Sequence, residues 1–293
     1  MKSLLSVSII ILTATFSISQ VKIPEESQYA EVKQQIGFTE VEINYTRPNM
    51  KRRTIFGEMV PWGSVWRTGA NANTKLSVSK DIFLEGNKIP KGKYGLYTIP
   101  EKDQWTVIIH KDTTLWGHYG YDEKHDLLRF TVKPLLHTEE VETMTINFKN
   151  VNDKGAIIEI RWGNIGVPIN LAIDSIAQDE EVLANITETL NKPDDRDKSI
   201  SVAHDYLHAA IYYLNNNKDL DQALEWVDQA IEIHNVNYFY LYKSDILGEL
   251  KRYDEAIEAS KEGLAIFIKG TNKEWIWRYE VQIQKWESKK KSG

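Results

Sequence analysis

The chain contains no cysteine among its 293 residues. That absence excludes disulfide staples, thiolate nucleophiles and thiolate metal centres together. It also removes the lipid-attachment site of bacterial lipoproteins. A basic surplus is lacking too, with 42 acidic residues against 36 basic ones and a net charge of −6. Nucleic-acid binding rests on Lys and Arg neutralising phosphates, so this balance is a poor match for it. The apolar run Leu4 to Phe16 is too short to span a bilayer, which takes roughly 20 residues. A glycine-rich phosphate loop and a G-x-S-x-G elbow are missing, and no Ser-x-x-Lys spacing in the chain makes a convincing catalytic set. Paired carboxylates for glycoside hydrolysis stay open, because the fold sets their spacing.

What is there supports a packed protein. The hydrophobic fraction is 42% and the aromatic fraction 11%. The length implies about two domains. At the N-terminus, Lys2, the run Leu4 to Phe16 and the small residues Ser17-Ile18-Ser19 have the form of a secretory signal. The expected organisation is a signal peptide over 1–19, a β-sandwich over 20–170, a helix and linker over 171–198, and helical repeats over 199–293. The expected location is the periplasm or outside the cell.

Strand signals crowd the first half. Val41, Ile43 and Tyr45 alternate with Glu42, Asn44 and Thr46, the period of a half-buried strand. Leu76 with Val78, the run Tyr94 to Ile99, and Trp105, Val107 and Ile109 continue the signal. So do Leu128, Phe130 and Val132, then Met144, Ile146 and Phe148, then Ala156, Ile158, Ile160 and Trp162. Turns at Gly86-Asn87, Pro90-Lys91-Gly92, Pro100 to Asp103 and Asn152 to Gly155 separate them. Many short strands with no helical period between them predict an antiparallel sandwich. The alternation stops at Gly163.

Helical signals follow. Ser175 with Gln178 fits a capping box, and Leu183, Ile186 and Leu190 share one face. Asn191 to Lys198 is polar and Pro-containing, as a linker would be. Beyond it, Asp221-Gln222-Ala223-Leu224 recurs as Asp254-Glu255-Ala256-Ile257, 33 residues on, and Ala230-Ile231 recurs as Gly263-Leu264. That period resembles the tetratricopeptide repeat, a helix pair of about 34 residues. Lys243 departs from that repeat, whose first helix usually has Leu there. Thr271 with Glu274 can cap a final helix, whose Ile276, Tyr279, Ile283 and Trp286 make a stripe suited to covering the last pair. The fold class expected is α+β, an antiparallel β-sandwich followed by tetratricopeptide-like helices.

The stretch Arg47 to Asn71 has neither period. It carries Lys51-Arg52-Arg53, Ile55-Phe56-Gly57, Val60-Pro61-Trp62-Gly63 and Val65-Trp66-Arg67-Thr68-Gly69-Ala70-Asn71. A loop this long inside a compact domain is uncommon and usually functional.

Those loop motifs, with Tyr45-Thr46-Arg47-Pro48, Lys93 to Pro100, Trp105-Thr106-Val107-Ile108 and Trp116-Gly117 before Tyr121-Asp122, Asp126 and Arg129, resemble the domain of unknown function 2911 family of exported bacterial proteins. The resemblance covers roughly Pro24 to Pro168. It implies a β-sandwich and no established activity. Arg52 stands where the family pattern has Gly, and Ala72 where a Glu is common.

Three side-chain sets could carry chemistry. Arg47, Trp66, Arg67 and Asn71 offer guanidinium forks for an anion and an indole face for a sugar or cation. The structural alternative is that Arg67 satisfies loop carbonyls and the tryptophans fill the core. Trp116, Tyr121 and Asp122 form a secondary ligand-binding set. His110, His118, Asp122, His125 and Asp126 lie close in sequence but match no metal-ligand spacing, and Asp122, Asp126 and Arg129 fit an ion-pair and turn-capping set better. His204 and His208 share a helix face, yet Asp205 stands where the zinc-peptidase motif needs Glu. No metal or cofactor is expected. The expected function is a non-enzymatic binding protein whose loop holds a polar, anionic or glycan ligand and whose helices contact a protein partner. The alternative is a periplasmic hydrolase acting on envelope glycans or peptides.

Overall fold

A computed structural model describes residues 23–192, 199–267 and 273–292. The expected signal segment 1–19, the linker from 193 to 198 and the capping residue Thr271 lie outside the described residues. The chain divides into two compact units, with the change between Ser175 and Ile176.

The first unit is built from ten strands. In chain order they are β1 (Gln28–Ile36), β2 (Thr39–Arg47), β3 (Thr74–Val78), β4 (Ile82–Leu84) and β5 (Asn87–Ile89). Then come β6 (Gly92–Ile99), β7 (Trp105–His110), β8 (Asp126–Val132), β9 (Leu135–Lys149) and β10 (Gly155–Ile173). They form a six-stranded sheet, β1-β2-β3-β6-β7-β8, and a four-stranded sheet, β5-β4-β10-β9. Neighbouring strands pair antiparallel throughout. Alternation dictates the packing. Val41, Ile43, Leu76, Leu96, Val107 and Ile109 from one sheet share a buried core with Met144, Ile146, Ile158 and Ile160 from the other. Tyr45 joins the layers, its hydroxyl accepting the Ile146 N–H at 2.9 Å.

The sequence alternation breaks at Gly163, but the strand does not. Gly163 has φ +57°, and the pairing of β10 with β9 shifts register on both sides of it. A bulge of this kind changes which residues face inward without ending the strand. Val167, Ile169, Leu171 and Ile173 are buried beyond it. The helix-and-linker segment therefore begins later than residue 171, at α1 (Ser175–Leu190).

The second unit holds α1, α2 (Ile200–Asn215), α3 (Leu220–Ile233), α4 (Phe239–Glu249), α5 (Tyr253–Phe267) and α6 (Lys273–Ser292). Asp219 caps α3 by accepting the Gln222 N–H at 3.0 Å. Ala203, Leu207 and Ala210 of α2 bury against Ala223, Val227 and Ala230 of α3. Ala223 and its counterpart Ala256 are both fully buried. None of these described helices is long and apolar enough to cross a membrane.

Helix α6 covers the α4–α5 pair with Tyr279 and Trp286, and also with Gln282, which donates to the Leu241 carbonyl at 2.8 Å. Trp286 packs where Gly248 leaves room, since a Cβ there would sit 2.3 Å from its ring. Its indole N–H donates to Ser244 Oγ at 3.0 Å. Ser244 in turn accepts from Ser260 and donates to the Ala256 carbonyl. Replacing Trp286 with Ala removes a buried ring and orphans part of that network. The expected cost is about 3–5 kcal/mol to the helical unit, read by urea unfolding of the helical circular dichroism signal. A cost below about 1 kcal/mol would contradict the packing role of α6.

Candidate functional site

The irregular crossing between β2 and β3 is held by both sheets. Pro48 to Met50 zip onto β9, with Met144 N–H donating to the Pro48 carbonyl at 2.9 Å and Met50 N–H to the Glu142 carbonyl at 2.9 Å. Further on, Trp66 and Thr98 exchange backbone hydrogen bonds at 2.7 and 2.9 Å, which docks the loop on β6. Ala70 N–H donates to the Thr46 carbonyl at 3.1 Å.

Aromatic rings fix what lies between. Trp66 is 7% exposed and stacks on Trp162 of β10, with centroids 5.8 Å apart and planes 18° from parallel. Phe56 meets Trp62, Trp66, Trp105 and Trp162 at 5.0–6.1 Å. Such pairs contribute about 0.5–1.5 kcal/mol each beyond the area they bury. Trp66 also donates its indole N–H to the Gly69 carbonyl at 3.1 Å.

Residue 68 carries strain. Thr68 has φ +54°, a conformation that a β-branched residue rarely adopts. It is fully buried, and its hydroxyl meets Thr98 Oγ1 at 3.0 Å while its carbonyl accepts from Thr74 Oγ1 at 2.7 Å. Lys51, Arg52 and Asn71 also have positive φ. Arg52, at φ +59°, takes the left-handed conformation that a glycine would reach without strain. Strained backbone of this kind clusters at functional sites, where the surrounding structure enforces it.

Arg67 lies between the stacked Trp66 and the strained Thr68. It is half-buried and donates from Nη1 to the Asn71 carbonyl at 3.0 Å. Its Nε is buried with no hydrogen-bond acceptor. No carboxylate among the described residues lies within ion-pair distance of it. Gly117, at φ +72°, lets the chain pass close, since a Cβ there would fall 2.6 Å from Arg67 Nη1.

A cavity of about 600 Å³ opens beside these residues. Its apolar wall is made by Pro48, Met59, Val60, Pro61, Val65 and the two stacked indoles. Arg53, Arg67, His118, Ser64 and Glu26 add polar groups. Arg53 gives Nε and Nη2 to the Met50 and Asn49 carbonyls. Glu26 pairs with Lys51 at 3.2 Å.

The sequence-derived set thus divides. Trp66 and Arg67 line the cavity. Arg47 does not; its Nε donates to the Met144 carbonyl at 2.9 Å and ties β2 to β9. Asn71 contributes its carbonyl and its left-handed backbone. Trp116 is 64% exposed on the neighbouring loop. Tyr121 donates to Asp126 at 2.9 Å and accepts from Arg129 at 2.8 Å, and burial with the Asp126 carboxylate pushes its hydroxyl pKa up. Asp122 accepts the Lys124 N–H at 3.1 Å, capping the 3-10 turn Glu123–His125. Sequence reasoning missed Arg53, His118 and Trp162 as cavity residues. Trp162 read as ordinary strand core, and only the fold brings it to Trp66.

Two pairs of histidines stay together, His110 with His125 at 5.9 Å between ring centroids and His204 with His208 at 6.0 Å. His110 is fully buried, with Nδ1 accepting the Asp112 N–H at 3.1 Å and Nε2 against the Asp122 carbonyl at 3.2 Å. His204 stacks near His208 and bonds the Tyr238 hydroxyl. Among the described residues no group of three or more His, Asp or Glu side chains is placed to hold a metal ion.

Fold and site together define a two-layer antiparallel β unit with a cavity under one long crossing loop, followed by packed helix pairs. Residues 27–171 match the model of a family described as "Protein of unknown function (DUF2911)". The match covers nearly all of the β unit and ends before α1. No curated protein and no solved structure matches the chain.

Asn71 supplies conformation rather than a side-chain contact, so Asn71→Gly should leave the melting temperature and any ligand affinity nearly unchanged. Asn71→Val should lower stability by about 1–2 kcal/mol, because a β-branched residue resists φ +58°. Calorimetric melting of both variants checks this; equal effects would contradict it.

Proposed function

We propose that the protein is an exported, non-enzymatic binding protein. The cavity beside Trp66 and Arg67 holds a small polar, anionic or glycan ligand. The observation that carries this reading is Arg67, a cation with a buried donor unused and no carboxylate partner, in the wall of a cavity large enough for a small molecule. A buried donor without an acceptor costs about 1–3 kcal/mol, more when charged, and a ligand oxygen offsets that cost. The hydrolase reading asks for two carboxylates, or a histidine set against one. Glu26 is the one acidic residue among those lining the described cavity, and it is paired to Lys51 at an exposed position.

The helical unit is read as a tetratricopeptide-like module that contacts a protein partner. Support comes from the equivalent burial of Ala223 and Ala256 and from a groove lined by Leu224, Leu247 and Ala259 with Glu258 and Glu262. Export to the periplasm or beyond rests on the N-terminal sequence pattern.

A thermal-shift screen against sugars, carboxylates and phosphates tests the reading. A ligand at a hundredfold its Kd adds about 2.7 kcal/mol to the folded state and raises the melting temperature. Arg67→Ala should stay folded and lose that shift. A variant that melts far below wild type, with no compound shifting either protein, would instead make Arg67 a structural group.

A further inference from the structure

We infer that the ligand of this cavity is a sugar unit bearing a carboxylate, a uronic acid, and that Arg67 takes the carboxylate. The inference rests on the reading of the cavity as a binding site and narrows it to one chemistry.

The carboxylate follows from the donors of Arg67. A guanidinium presents five N–H groups in a rigid fork. Here Nη1 is committed to the Asn71 carbonyl at 3.0 Å, while Nε has no acceptor. The edge formed by Nε and Nη2 carries two parallel N–H groups, the spacing that matches the two oxygens of a carboxylate. Bringing the buried Nε to a ligand requires the side chain to turn and would exchange the Asn71 carbonyl bond for that pair. Phosphate sites gather several cations or a helix N-terminus. This wall has no helix N-terminus, and its second guanidinium, Arg53, keeps its charge but has its Nε and Nη2 edge committed to backbone carbonyls, which leaves Arg67 as the fork for a bidentate carboxylate.

The sugar follows from the rest of the surface. A pyranose ring has one apolar C–H face and a polar hydroxyl edge. The cavity pairs an apolar wall of Val65, Pro61 and Met59 with the hydroxyl of Ser64 and the imidazole of His118. Just outside, Trp116 and Tyr119 stand 64% and 70% exposed on the loop that also carries Gly117 and His118. Rings of this size normally bury about 150–250 Å² each, so two left in water beside a cavity mark a contact surface. Their faces suit the C–H face of a second sugar in a chain whose first unit fills the cavity.

Isothermal titration of the full chain with D-glucuronate and D-galacturonate, against D-glucose, D-galactose, hexanoate and inorganic phosphate, tests this. Each uronate should bind roughly tenfold or more tightly than its neutral parent, the equivalent of one charge-assisted pair. Arg67→Gln should erase the difference and Arg67→Lys should keep part of it. On the wild-type protein, the Arg67 Nε–H resonance should move with glucuronate and stay with glucose, a readout that holds even where a variant folds poorly. Equal affinity for uronate and neutral sugar, or for uronate and hexanoate, would overturn the inference, as would a stronger response to phosphate. If any of those other compounds binds and Ser64→Trp, which fills the cavity, abolishes it, the binding reading survives and the uronate inference falls. If none binds and the broader thermal-shift screen is also silent, both fall.

Discussion

Trp66 stacked on Trp162 is the contact on which the β unit's irregular half depends. Trp162 belongs to the four-stranded sheet, while Trp66 is tied by backbone bonds to Thr98 in the six-stranded one. The crossing loop is thus clamped between the two layers rather than laid over them. Fixing each loop residue costs about 1–2 kcal/mol of backbone entropy. Burial of Trp66, Phe56, Ile55 and Val60 in the common core offsets that cost locally. The same clamp sustains Thr68 at positive φ, because its hydroxyl and carbonyl are both bonded within the core.

The position of Arg67 follows from that clamp. With Trp66 and Thr68 fixed on either side, its side chain leaves the core beside Gly117 and enters the cavity wall. The backbone that carries Arg67 is thus already ordered and loses little further entropy when a ligand arrives, which favours affinity. The buried, unpaired Nε is the reverse side of the arrangement, since the folded protein without ligand keeps a donor that its own chain does not satisfy. The helical unit is organised differently. There the buried polar groups Ser244, Ser260 and Trp286 satisfy one another, and that packing leaves no comparable orphan in the network.

Where periodicity governs, the sequence was legible. Val41, Ile43 and Tyr45 face the core as their alternation requires, and Tyr279 and Trp286 cover α4 and α5 as their spacing requires. The long crossing was legible as an exception to both periods, and its Trp66-Arg67 pair does line a cavity. Three features were not. The continuation of β10 past Gly163 was hidden because a bulge resets the inward phase. Arg47 looked like part of the site because it precedes the loop, yet its reach is to Met144, nearly a hundred residues away in sequence. Trp162 and His118 came to the cavity through long-range pairing, which no local pattern encodes. Of these, His118 had a faint signal in its neighbour Gly117, the left-handed residue that lets Arg67 approach.

The central claim is that the cavity against the stacked indoles is where a ligand sits. Indole N–H resonances in a proton–nitrogen spectrum report it directly during titration with glucuronate. The account predicts that Trp66 and Trp162 move together and saturate, while Trp226 and Trp286 of the helical unit stay in place. Saturating shifts confined to Trp226 and Trp286, or none at Trp66 and Trp162 while titration calorimetry registers binding, would contradict it.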